Sequence, residues 1–241
     1  MKFLHELSDA EELFRIIADE KAIDPYLVEK DYWIMHALWG LQQQGYNFEL
    51  KGGTSLSKGF KIIDRFSEDI DIRVQPPSEK NVPTGKNQNK EAQIEARKKY
   101  FDQLAIEINI HSMKSVRDYD FDNDKVMSAG IRLNYESLFE VPVGVKQGIL
   151  LEAGFDNTTP NEPLNFDSWS YLKAQNIVPE LIDNRALNIK CYLPEYTFVE
   201  KLQTITRKVR QQQDRGEFAA NFVTAHVPYM ATSAGGPAPE K

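Results

Sequence analysis

Apolar residues recur at helical spacing in four stretches of the chain. Ala10, Leu13, Phe14, Ile17 and Ala18 predict a helix over residues 9–21, with Ser8-Asp9-Ala10-Glu11 as a capping box. Asp24-Pro25 restarts the chain with a capping carboxylate and a proline at the first helical position. That second helix runs to about residue 44, where Gly45 stops it, and Val28, Tyr32, Met35 and Trp39 mark its core face. Ile94, Phe101, Leu104, Ala105 and Ile108 predict a third helix over residues 90–110. Pro194-Glu195 opens a fourth, with Phe198, Leu202, Ile205 and Val209 on one side. Strand-like runs cover residues 48–50, 67–72, 115–120, 129–135, 147–155 and 186–193. Strands that follow one another after a long helix predict an α+β fold with a mixed sheet and helices packed on it. The first two helices read as a hairpin lying on that sheet; a DNA-reading helix pair would be basic, and this segment is not.

Two connections carry little pattern. Residues 75–89 hold three prolines and almost no apolar side chains, which predicts either a disordered loop or a lid. Residues 156–180 are polar and dotted with aromatics.

Composition narrows the function classes. The chain has 241 residues, enough for one large domain or two small ones, and a net charge of −7, the wrong sign for a dedicated non-specific nucleic-acid binder. A single cysteine, Cys191, rules out an internal disulfide and reads as a small core residue. The four histidines are scattered, which argues against a Cys/His zinc site. No apolar run has the roughly 20 residues of a membrane span, and the first residues lack a signal-peptide core. A soluble cytoplasmic protein is expected.

The chemistry concentrates in residues 51–73, KGGTSLSKGFKIIDRFSEDIDIR. The adjacent Gly52 and Gly53 allow a tight turn whose N–H groups cradle an anion, with hydroxyls from Thr54 and Ser55 and a helix start beside it. In the strand that follows, side chains alternate, so Asp69 and Asp71 share one face and Ile70 and Ile72 the other. Two carboxylates at that spacing suit Mg²⁺. Anion cradle and metal clamp together read as a nucleoside triphosphate site, although either motif alone is common on ordinary turns and solvated strands. A P-loop is excluded because Lys58 follows Ser57 and precedes Gly59, and the dinucleotide fingerprint is absent.

These motifs closely resemble the AbiEii/AbiGii-type nucleotidyltransferase toxins of the polymerase-β-like superfamily. The resemblance rests on residues 51–59 and 65–71, with weaker matches at Glu29-Lys30-Asp31-Tyr32-Trp33 and Thr197-Phe198-Val199-Glu200-Lys201. It implies a third carboxylate on a strand beside the Asp-x-Asp strand. Glu152, the one charge in GILLEAGF, fits that place; a salt bridge to Arg132 is the structural alternative. It also implies an active-site lysine at Lys201, at the start of a basic stretch that continues through Arg207, Lys208, Arg210 and Arg215. Lys30 and Asp31 read equally as a surface ion pair or as site residues.

The expected protein is therefore a nucleotidyltransferase core at residues 47–193, preceded by helices at 1–46 and followed by a helical segment at 194–230 and a disordered tail at 231–241. Relative to the family, the C-terminal helical part looks shortened. Asp69, Asp71 and Glu152 would hold one or two Mg²⁺ ions. Gly52, Gly53, Thr54, Ser55 and Lys58 would bind the triphosphate, and Lys201 would neutralise the leaving pyrophosphate. By resemblance the acceptor is an RNA 3′ end such as tRNA, in a toxin–antitoxin or abortive-infection system with a cognate antitoxin. Two other readings stay open: a degenerate module of the same fold that binds nucleotide or a partner protein, and a generic domain whose acidic strand is only solvated.

Overall fold

The computed structural model describes residues 1–64 and 66–214. Arg65 and Arg215, part of the expected 194–230 helical segment, and the tail expected at 231–241 lie outside the described residues.

In chain order the structure runs α1 (Ala10–Lys21), α2 (Pro25–Gln43), β1 (Phe48–Lys51), a short helix α3 (Gly52–Thr54) continued by a π-helical turn (Ser55–Gly59), and β2 (Asp69–Val74). It continues through α4 (Glu91–Glu107), β3 (Lys114–Asp118), β4 (Ser128–Asn134), β5 (Ile149–Gly154), β6 (Asn161–Phe166), α5 (Trp169–Ala174), β7 (Ala186–Tyr192) and α6 (Pro194–Asp214). The strands form one seven-stranded sheet in the order β3-β4-β5-β2-β1-β7-β6. Pairing is parallel at β2/β5 and β1/β7 and antiparallel elsewhere, so the sheet is mixed and the fold is α+β.

The cap of α1 differs from expectation. Its capping residue is Asp9, whose side chain makes no capping hydrogen bond, so the Ser8–Glu11 box does not form. Asp24 does cap α2, accepting from the Tyr26 N–H at 2.8 Å, and Gly45 ends the helix with a φ of +76°. The α2 helix was expected to bury one face. It is instead buried on nearly all sides, because it is enclosed by α1, α5 and the sheet strands β5 and β7. Glu29, Lys30 and Asp31 are therefore all below 2% exposed.

The polar run at 75–89 is tied down rather than loose. Arg97 of α4 is fully buried and donates to the carbonyls of Pro83, Gln88 and Lys125 at 2.8–3.0 Å. Within 156–180 the sequence showed no strand, yet β6 forms there. Half of its residues are polar and one is Pro163; it sits at the sheet edge and is held by β7 alone, so the pairing and not an apolar pattern makes it a strand.

The α6 helix departs from its expected packing. Among the described residues Phe198, Leu202 and Ile205 are exposed, at 43–64%.

Candidate active site

The local fold of the glycine turn follows from two side chains. Gly52 adopts a φ of +76°, a region that side chains other than glycine's rarely enter. A β-carbon there would overlap the Asp71 carboxylate, with the Asp71 Cγ only 2.9 Å away. Gly53 already has helical geometry, so one of the two glycines makes the turn and the other begins the helix.

The hydroxyls expected to face phosphate point inward. Thr54 donates to the Asp69 carbonyl at 2.6 Å and Ser55 to the Gly52 carbonyl at 2.9 Å, and both residues are buried. They lock the turn onto β2. The donors that remain are the backbone N–H groups at the helix start, which have no partner within the helix; that of Ser55 is taken by the Gly52 carbonyl.

Sheet register sets out the charged groups. Lys51 on β1 lies opposite Asp71 on β2, and Asp71 lies opposite Glu152 on β5. Directly opposed residues project to the same side, so the three form a row with Asp71 in the middle. Asp69 is two residues back on the same face, opposite Leu150, which is itself opposite Arg132 on β4. The matching apolar side chains, Ile70 and Ile72, are buried on the other face.

Electrostatics agree with this layout. Burial, then the neighbouring Glu152, push the Asp71 carboxyl up to about 6, while Lys51 and Lys201 pull it back. Lys201 on α6 thus acts on Asp71 through its charge. Burial also raises Asp69, and there the opposing cations are Lys146, Lys30 and Arg132. Lys51 bonds Asp156 at 2.6 Å; burial is the largest single effect and opposes its charge, but Asp156, Asp71 and Glu200 together hold the ammonium above its ordinary value.

The alternative partner for Glu152 is taken elsewhere: Arg132 pairs with Asp118 at 2.6 Å. Among the described residues Glu152 forms no ion pair. The oxygens of Asp69, Asp71 and Glu152 do not all come within 4.8 Å of one another; the three share a face without closing into one tight cluster.

Lys58 is not brought to the row. Its ammonium contacts the buried Asp31 carboxylate and lies 4.2 Å over the Trp169 ring. Asp31 also accepts the Trp169 N–H at 3.0 Å. Lys30 and Asp31 do not pair with each other. Lys30 donates to Glu68 at 2.9 Å and to the Lys146 carbonyl at 2.7 Å, joining the segments that enter β2 and β5. Sequence reasoning passed over Lys51 and Lys146. Lys51 could have been found by strand parity, since it immediately precedes the glycine turn; Lys146 carried no signal.

The comparison with protein families bears on this arrangement. The model described as "Nucleotidyl transferase AbiEii toxin, Type IV TA system" matches residues 33–218. The chain belongs to this AbiEii nucleotidyl transferase toxin family. The match takes in the glycine turn, the Asp-x-Asp strand, Glu152 and Lys201, and the mixed-sheet α+β fold suits a nucleotidyltransferase. No curated protein matches the chain. Among the described residues of this AbiEii family member, no helix is long and apolar enough to cross a membrane.

Proposed function

We propose that this member of the AbiEii family transfers a nucleotide from a nucleoside triphosphate to an acceptor hydroxyl, with Mg²⁺ as cofactor and an RNA 3′ end, tRNA foremost, as acceptor. The observation that carries this reading is the row Lys51–Asp71–Glu152 beside the Gly52 turn. Two carboxylates forced together by register, one of them held up near 6, are the environment that a divalent cation relieves. The donor set is all oxygen, which fits Mg²⁺, and Asp69, Asp71 and Glu152 are the residues that would hold it.

When bound, Mg²⁺ would supply Lewis-acid stabilisation of charge on the phosphate oxygens. The chain's own groups do the rest. The N–H groups of Gly52, Gly53 and Thr54 bind the β- and γ-phosphates; Lys201 and Lys51 offset the negative charge that grows on pyrophosphate. The acceptor oxygen bonds to the α-phosphorus as the bond to pyrophosphate breaks. Positioning and electrostatics supply the catalysis. As a type IV toxin, the protein would be opposed in the cell by a cognate antitoxin.

A second reading, a nucleotide-binding module without turnover, is favoured by the engagement of Lys58 with Asp31 and by the open spacing of the carboxylates. Incubation with labelled nucleotides, Mg²⁺ and total RNA or total protein separates the two. Label should enter RNA with the wild type and not with Asp71→Ala. Label in neither pool, with nucleotide still bound in calorimetry, selects the binding module.

A further inference from the structure

Three of the four histidines, His5, His36 and His111, gather beside the middle of α2. His5 and Glu6 lie in the N-terminal segment and His111 in the turn before β3, and one ligand atom from each falls within 4.8 Å of the others. The arrangement is held from behind. His5 Nδ1 bonds the Tyr32 hydroxyl at 2.7 Å, and its ring stacks on Phe3 and packs 4.5 Å from Trp33. Glu6 Oε2 accepts the Phe3 N–H at 2.8 Å, leaving Oε1 to meet His111 Nε2 at 2.9 Å. His5 Nε2 faces the Ser112 hydroxyl at 3.1 Å. A second atom of His5 and of Glu6, and the His111 ring packed against Phe3, are fixed by the fold, which is how metal-binding imidazoles and carboxylates are oriented.

We propose that His5, Glu6 and His111 bind one divalent transition-metal ion, zinc above all. Two imidazoles and a carboxylate match zinc chemistry and disfavour Mg²⁺, which takes oxygen ligands. Zinc bonds of about 2.0–2.1 Å set tetrahedral ligand atoms about 3.3 Å apart; Glu6 Oε1 and His111 Nε2, now 2.9 Å apart, would part slightly, and the three ligand atoms already lie within 4.8 Å of one another. A surface depression of about 590 Å³ adjoins His111, lined also by Ser112, Lys114 and Glu136. The ion would clip the N-terminal segment to the turn before β3, 105 residues away in sequence. The site is independent of the carboxylate row on the sheet.

The test is calorimetric titration of the full chain with Zn²⁺, repeated with Co²⁺ and read by visible absorption. One equivalent should bind and raise the melting temperature. Affinity should fall tenfold or more in His111→Ala and in Glu6→Gln, both changes to partly exposed side chains. Asp71→Asn and excess Mg²⁺ should leave it unchanged. The proposal is overturned if no saturable binding is seen, if both variants bind as the wild type does, or if binding is lost in Asp71→Asn instead.

Discussion

Gly52 lies against the carboxylate of Asp71, so close that a β-carbon would occupy the same space. The turn and the acidic strand are therefore one unit: the backbone N–H groups are near the carboxylates because nothing stands between them. Gly52→Ala should lose stability by more than the about 1–2 kcal/mol of left-handed backbone alone, since Asp71 must also move. Urea unfolding with nucleotide titration would check this. Unchanged nucleotide binding would mean that the turn does not depend on the contact.

Asp71 and Glu152 predict a pH effect. The Asp71 carboxyl stands at about 6 in the fold against an ordinary 3.8. The folded state holds this proton more tightly than the unfolded chain does, so cation-free protein should lose stability as pH rises from about 4 to about 6. A divalent cation must displace the proton. Mn²⁺ or Mg²⁺ affinity should therefore fall by up to about tenfold per unit below pH 6, and Asp71→Asn should remove the dependence. Titrations on either side of pH 6 would show it.

Lys58 and Asp31 make a buried ion pair. Lys58→Met should destabilise the protein by up to about 3–5 kcal/mol, because Asp31 is left buried with only the Trp169 N–H as partner. The double variant Lys58→Met with Asp31→Leu should recover part of that loss, less the hydrogen bond from the Trp169 N–H. If Lys58 instead served phosphate, the single variant would keep its stability and lose nucleotide affinity, a difference that paired thermal and binding measurements resolve.

Arg97 predicts a local effect. Its guanidinium serves the carbonyls of Pro83, Gln88 and Lys125. Arg97→Met should cost about 3 kcal/mol or more, since hydrogen bonds from a charged group contribute about 1.5–3 kcal/mol each. It should also open the segment to trypsin at Lys86, followed by limited proteolysis against the wild type.

Local chemistry was legible in the chain itself. The alternation of Asp69, Ile70, Asp71 and Ile72 decides which groups share a face, because strand geometry allows only that parity. The Asp24-Pro25 start and Gly45 stop of α2 are likewise local, and the structure keeps both. The family resemblance was carried by the same short motifs.

Partners across the fold were not legible. Whether Glu152 meets Arg132 or Asp71 depends on strand order, and no residue near Glu152 in sequence records that β5 lies beside β2. The pairing of Lys58 with Asp31 likewise depends on where the buried α2 lies, which no residue near Lys58 records. The histidines looked scattered because His5 and His111 meet only when the N-terminal segment folds across α2. Periodicity and turn chemistry act over a few residues, and sequence states them directly; ion pairs and ligand sets form between segments a hundred residues apart, and only the packed chain chooses among them.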